Sequence, residues 1–169
     1  MADQEPGGSA AGGNERSADG GRAGASDSRS VAEVMSTQLV TVSSDATVVE
    51  AARLMRDHDI GPVLVMDGDE LRGIVTDRDI TIRAVAEGRD VATTPVSEVA
   101  SQSLTTVSPG DALDTAAEAM RGEALRRVVV VEGGRPVGML SLGDLAQSDE
   151  AADDAGIALS DISTAPPTE

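Results

Sequence analysis

The chain repeats itself. Displaced by 65 positions, residues 31–80 fall on residues 96–145 without a gap, and 17 of the 50 aligned pairs are identical. Chance pairing of this composition would give about four. The identities include Val34/Val99, Leu39/Leu104, Thr41-Val42-Ser43/Thr106-Val107-Ser108, Ala51-Ala52/Ala116-Ala117, Met55-Arg56/Met120-Arg121, Gly68/Gly133, Gly73/Gly138 and Asp79/Asp144. A unit of this length present twice predicts a pseudo-symmetric pair and not a solenoid.

Each unit has the same order of periodicities. Val48, Ala51, Ala52 and Met55 recur at i, i+3, i+4, i+7, as do Leu113, Ala116, Ala117 and Met120, which predicts one buried helix face per unit. Thr47-x-x-Glu50 and Asp111-x-x-Asp114 are placed to cap those helices. Compact strands follow at 62–66 and 127–131. A Gly-bearing turn and a second strand, 71–75 or 136–140, come next. Further helices start at Thr76 and Ser141, and short strands at 40–42 and 105–107 lead each unit. The expected class is α/β (α+β): two repeats, each a small sheet with two helices. A unit of about fifty residues is marginal alone, so the sheets are expected to pack against each other. Asp67-Gly68-Asp69-Glu70 lacks the ligand spacing of a calcium loop and reads as a hairpin turn. His58 is expected at a helix end, and Met55 and Met120 in the core.

Two segments carry a more specific signal. Gly73-Ile74-Val75-Thr76-Asp77-Arg78-Asp79-Ile80 and Gly138-Met139-Leu140-Ser141-Leu142-Gly143-Asp144-Leu145 both fit Gly-φ-φ-Ser/Thr-x-x-Asp-φ, with φ aliphatic. On these residues the chain resembles a tandem pair of CBS domains, a Bateman module. In 55–61 (MRDHDIG) and 76–80 (TDRDI) it is similar to small stand-alone two-CBS bacterial proteins of the stress or hypoxia response. The resemblance covers 31–148, with repeat 1 at 31–88, a linker at 89–95 and repeat 2 at 96–148.

The resemblance implies an adenosine ligand between the repeats, of the AMP, ADP or ATP type. It also implies a regulatory role read out through repeat or dimer rearrangement, and a homodimer, whose two-fold interface is the commonest kind. The chemistry of the matched residues fits. Asp144 offers a carboxylate to ribose hydroxyls, and Ser141 stands one turn earlier. Arg126 and Arg127 offer forked guanidiniums to a phosphate. By the family's pattern, 36–40, with Leu39 and Val40, edges the purine beside Ile60. The other half-site has Thr76, Asp79, Leu104 and Thr105, but Gly61-Pro62 stands where the first has Arg126-Arg127. Arg78 is the candidate compensating cation there, and this second site is expected to be weaker or empty. The same two Ser/Thr-x-x-Asp tetrapeptides also read as helix caps, a role compatible with binding.

Composition narrows the alternatives. With no cysteine, one histidine and no aromatic residue among 169 residues, disulfides, thiolate chemistry, the common zinc sites and base stacking on rings are excluded. A formal charge of −17 disfavours nucleic acid and anionic membranes as partners. No apolar run approaches the ~20 residues of a membrane span, and the first thirty residues lack a signal-peptide core. A cytoplasmic protein is expected. Residues 1–30 (seven Gly, six Ala, five Ser) and 149–169 (six acidic, no basic residues) are expected to be disordered tails. All thirteen basic residues are arginine, a bias consistent with a GC-rich genome or with high salt. No nucleophile–base pair is visible, Asp77 and Asp79 diverging around a helix start, so no catalysis and no required cofactor or metal are expected. A ligand-free interaction protein, acting on an unknown protein target through its dimer surface and tails, is the rival reading. On charge, AMP or ADP is favoured over ATP.

Overall fold

The apolar run at 62–66 is buried on both faces, and this explains the architecture around it. In the computed structural model, which describes residues 29–147 together with Gly156, Ile157 and 159–161, β2 (Pro62–Asp67) is the central strand of a three-stranded sheet. It pairs in parallel with β1 (Thr41–Ser43) and antiparallel with β3 (Glu70–Thr76). The parallel pair needs a crossover, which α2 (Val48–His58) provides. The antiparallel pair is closed by a turn at Gly68, whose φ of 59° suits a residue without Cβ.

The second repeat has the same plan. Its sheet is β4 (Thr106–Val107), β5 (Arg127–Glu132) and β6 (Arg135–Ser141), in that order, with α4 (Leu113–Gly122) as the crossover. The hairpin turn here is Gly133-Gly134, both at positive φ. The paired-repeat α/β fold read from the sequence is therefore what the chain adopts. Each hairpin even carries a register shift at the same place, Val65/Met66 and Val130/Val131.

Strand alternation sorts the core. Val63 and Val65 join Val42, Val48, Ala51, Met55 and Val75 in the first cluster; Val128 and Val130 join Val107, Leu113, Ala116, Ala117, Met120 and Leu140 in the second. Leu64 and Val129 are equally buried but belong to neither. Side chains of successive strand residues point to opposite faces, so these two lie on the reverse face of each sheet. That is the face where the repeats meet, with β3 in contact with β6.

The two repeats also exchange their leading segments. A short helix, α1 (Val31–Val34), precedes the first sheet in sequence, yet Val31 is part of the second core and its N–H donates to the Asp111 carbonyl at 2.9 Å. Reciprocally, Val96 and Val99, in and after the 3₁₀ turn Val96–Glu98, are buried in the first core. Residue 91 of the linker packs there as well, and Val48 N–H donates to Thr94 carbonyl at 3.0 Å.

Most caps form as read. Thr47 and Glu50 make a full capping box: Thr47 N–H and hydroxyl donate to Glu50 Oε2 at 2.7 and 2.8 Å. The Thr47 N–H, and after it the Thr47 hydroxyl, holds the Glu50 carboxyl below its ordinary value. Asp111 does not cap α4. The cap residue is Ala112, and the Asp111 carboxylate instead accepts from Ser108 N–H at 2.7 Å, closing the preceding turn. The helix expected from Thr76 is a three-residue α turn, α3 (Asp77–Asp79), that widens into a π-helix over Ile80–Val85. The β-branched run Ile80-Thr81-Ile82 is a poor α-helix former, and Thr81 Oγ1 back-bonds to the Asp77 carbonyl at 2.9 Å. The counterpart in repeat 2 is α5 (Leu142–Ala146). The expected tails at 1–30 and 149–169 lie almost wholly outside the described residues.

Candidate functional site

Two glycines decide how the repeats come together. Ser36 and Met139 exchange hydrogen bonds, both 2.9 Å, in an isolated antiparallel bridge between the segment before β1 and β6 of the other repeat. Ser101 and Ile74 do the same at 2.8 and 3.0 Å. Each bridge passes over the first residue of a Gly-φ-φ-Ser/Thr-x-x-Asp segment. A Cβ on Gly73 would stand 2.7 Å from the Ser101 carbonyl oxygen; on Gly138 it would stand 2.5 Å from Met35 Sδ and 3.1 Å from the Ser36 carbonyl oxygen. Glycine is required by close approach of another backbone.

The first bridge forms one wall of a cleft of about 220 Å³. Ser36, Gln38, Leu39 and Val40 edge it; Asp59, Ile60, Gly61 and Pro62 form a second wall; Arg127, Met139, Ser141 and Asp144 close it from repeat 2. Six of the seven residues expected at the principal site are thus gathered around one space. Arg126 is not among them: it is exposed, and its carbonyl accepts from Leu142 N–H at 3.0 Å. Its neighbour Arg127 pairs with Ser141 across β5 and β6. A Cβ on Gly61 would lie 3.5 Å from Arg127 Nη1, so the guanidinium reaches over to repeat 1.

Asp144 does two things at once. Its Oδ2 accepts from Ser141 N–H at 2.8 Å and Ser141 hydroxyl at 2.7 Å, while Asp144 N–H donates to Ser141 Oγ at 3.2 Å. That is a capping box with Asp in place of Glu. The cap fixes the rotamer and leaves Oδ1 without a hydrogen-bond donor among the described residues. Arg127 likewise has no hydrogen-bond or ion-pair partner there. An acceptor and a forked cation are therefore both available at the cleft.

Asp59 was not anticipated in the cleft. It sits at the C-terminus of α2 with φ 53°, as its repeat counterpart Ala124 does with φ 52°. Asp tolerates that left-handed conformation better than most residues; the signal available in the sequence was an Asp directly between the helix-ending His58 and a strand.

The second half-site is built alike but furnished differently. Thr76 and Asp79 repeat the capping box, with Asp79 Oδ2 accepting from Thr76 N–H at 2.9 Å and hydroxyl at 2.6 Å. Here, however, Asp79 Oδ1 faces Arg83 Nη1 at 3.5 Å. Leu104 and Thr105 are half-buried, and Arg78 is exposed. A larger depression, about 450 Å³, lies elsewhere, lined by Ser44, Val65, Leu71, Arg72, Ser97, Ala100 and Gln102. Its one cation is engaged, Arg72 pairing with Asp67 at 3.2 Å and Glu70 at 3.0 Å. Among the described residues no cluster of three or more His, Asp or Glu side chains forms a metal site, and no helix is long and apolar enough to cross a membrane.

Comparison with known proteins gives the family. The chain is 42% identical over 134 residues to the CBS domain-containing protein YhcV of Bacillus subtilis, spanning 79% of this chain and 95% of that one. It is 34% identical over 116 residues to hypoxic response protein 1 of Mycobacterium tuberculosis, spanning 68% and 81%. Among solved structures, a CBS domain protein from Pyrobaculum aerophilum in complex with AMP superposes with a TM-score of 0.67 at 29% identity, covering 76% of this chain and 99% of that one. The CBS domain family matches residues 31–85 and again residues 96–150. With both halves of the internal repeat matched separately, the chain belongs to the CBS-domain family as a tandem pair.

Proposed function

We propose that this CBS pair is a non-catalytic regulatory module that binds an adenosine nucleotide in the cleft closed by Ser141, Asp144 and Arg127. The observation that carries the reading is the state of Asp144: one carboxylate oxygen is locked by its cap, and the other shares the cleft with the Arg127 guanidinium, neither having a partner among the described residues. Oδ1 is the acceptor for ribose hydroxyls; the backbone at 36–40 edges the purine between Ile60 and Met139. Arg127 takes the phosphate. At about 220 Å³ the cleft lies below the ~300 Å³ at which ligand pockets usually begin, which suits a nucleoside inside with its phosphate at the mouth. The AMP-bound relative supports the ligand class. The chain's charge of −17 and Asp59 in the wall favour AMP or ADP over a triphosphate.

Calorimetric titration with AMP tests this. Each charged contact contributes about 1.5–3 kcal/mol, so Arg127→Ala combined with Asp144→Asn should weaken binding at least a hundredfold; Asn retains an acceptor for the cap. Equal affinity of wild type and double variant would refute the site. For signalling, the ligand must prefer one of two arrangements of the repeats or of the dimer. A homodimer in the cytoplasm is the proposed working form, with exposed Ile82 and Val85 on the π-helix as apolar surface for association. Sedimentation at micromolar concentration showing a monomer would contradict it.

The rival, a ligand-free interaction protein, is favoured by one observation: both site carboxylates already have structural employment as caps. A thermal-shift panel separates the readings, since a ligand that binds only the folded state raises the melting temperature by mass action.

A further inference from the structure

The two half-sites are built on equivalent elements but differ in their cations: Pro62 stands at the counterpart of Arg127, and an arginine of the protein faces the acid. Arg83 Nη1 donates to the Val99 carbonyl at 3.0 Å and to Ser101 Oγ at 3.1 Å, and lies 3.5 Å from Asp79 Oδ1. Ser101 is the repeat counterpart of Ser36, which lines the first cleft, and each serine bridges to the other repeat. Asp79 is likewise the counterpart of Asp144. The guanidinium of Arg83 therefore spans from the acid to the strand edge, the two walls between which the first cleft stays open.

We propose that Arg83 is a built-in occupant of the second cleft and sets the binding stoichiometry at one nucleoside per chain. The inference rests on the reading of the first cleft given above, and extends it to the other half. The group is well placed for the role. It is held by three acceptors and no donor, and a ribose would need the same Asp79 oxygen. The Asp79 side chain is 16% exposed, while that of Arg83 is 40% exposed at its outer side. Arg83 projects from the π-helix Ile80–Val85, a wide turn of a kind often found at functional sites. Register places Ser148 where Arg83 stands, so the second repeat carries no cation at this position. The expectation of a weaker second site thereby gains a further cause: the acid already faces the protein's own arginine.

The test is titration of the full-length protein with AMP and with adenosine. Wild type should bind one equivalent. Arg83→Ala should bind two, with affinity at the second cleft raised at least tenfold, and adding Asp79→Asn to Arg83→Ala should return the count to one. Arg83→Met, which keeps the aliphatic stem, guards against loss of packing and should behave as Arg83→Ala does. A natively folded Arg83→Ala or Arg83→Met with no more sites than wild type would overturn the proposal, as would two equivalents bound by wild type. Failure of the first cleft reads out separately, as Arg127→Ala/Asp144→Asn leaving the wild-type count unchanged.

Discussion

Replacing Gly73 by alanine asks whether the crossing of the two repeats is as tight as the structure draws it. In an open position with ordinary backbone angles, Gly→Ala stabilises by about 0.4–1 kcal/mol, because the unfolded chain loses freedom. Gly73 has no left-handed φ, so that gain applies. Against it stands a Cβ 2.7 Å from the Ser101 carbonyl oxygen and 3.4 Å from the carbonyl carbon, a backbone neighbour that cannot swing away. Overpacking of this kind costs about 1–3 kcal/mol. Moving Ser101 also stretches the bridge hydrogen bonds of 3.0 and 2.8 Å to Ile74, each worth about 1 kcal/mol. The net expectation is a loss of about 2–3 kcal/mol. For a folded region of this size, between the ranges of about 4–8 and 2–4 °C per kcal/mol, that is a fall of roughly 10 °C in melting temperature. Circular dichroism is the assay, since the chain has no aromatic residue to report by fluorescence. Gly110→Ala is the control: nothing stands within 4 Å of its Cβ, so it should match or slightly exceed wild type. If Gly73→Ala melts with Gly110→Ala, the close approach is wrong and the placement of both clefts goes with it.

Gly138→Ala should cost less, about 1 kcal/mol, since Met35 Sδ at 2.5 Å can rotate aside and only the Ser36 carbonyl at 3.1 Å must give; a larger loss than Gly73→Ala would contradict this ordering in the same melts. Leu64→Ala removes a fully buried side chain from the face between repeats and should lower urea stability by about 2–5 kcal/mol; a loss below 1 kcal/mol would mean that face is not packed. Glu50 provides a pH signature. Its carboxyl is held below its ordinary value in the folded chain, chiefly through the Thr47 N–H, so its contribution is present above the unfolded value and disappears as pH falls through the folded one. Urea denaturation at stepped pH should show wild type losing stability more steeply than Glu50→Gln below about pH 4.5, and parallel curves would exclude the cap as the cause.

Much of this protein was legible in its order of residues. The displaced self-match gave two repeats; periods of two and 3.6, with glycines at 68 and 133, gave the two crossover helices, and the hairpin and strand limits to within a residue or so. Thr76, Asp79, Ser141 and Asp144 announced their caps. These features depend on neighbours a few positions apart, and local spacing records them. The cap expected at Asp111 failed because two competing local bonds were open to that carboxylate, and the turn to Ser108 took it.

Tertiary structure alone decided the rest. Nothing periodic shows that Val31 belongs to the second core and Val96 to the first, that Arg127 crosses to Gly61 while Arg126 stays outside the cleft, or that Arg83 links Asp79 to Ser101. Such relations join residues far apart along the chain, and they exist only once two sheets have met at a particular angle and depth. An internal repeat specifies that the halves are alike; which side chain reaches the acid of each half follows from packing, and among the described residues an arginine, Arg83, faces Asp79 while Asp144 has none.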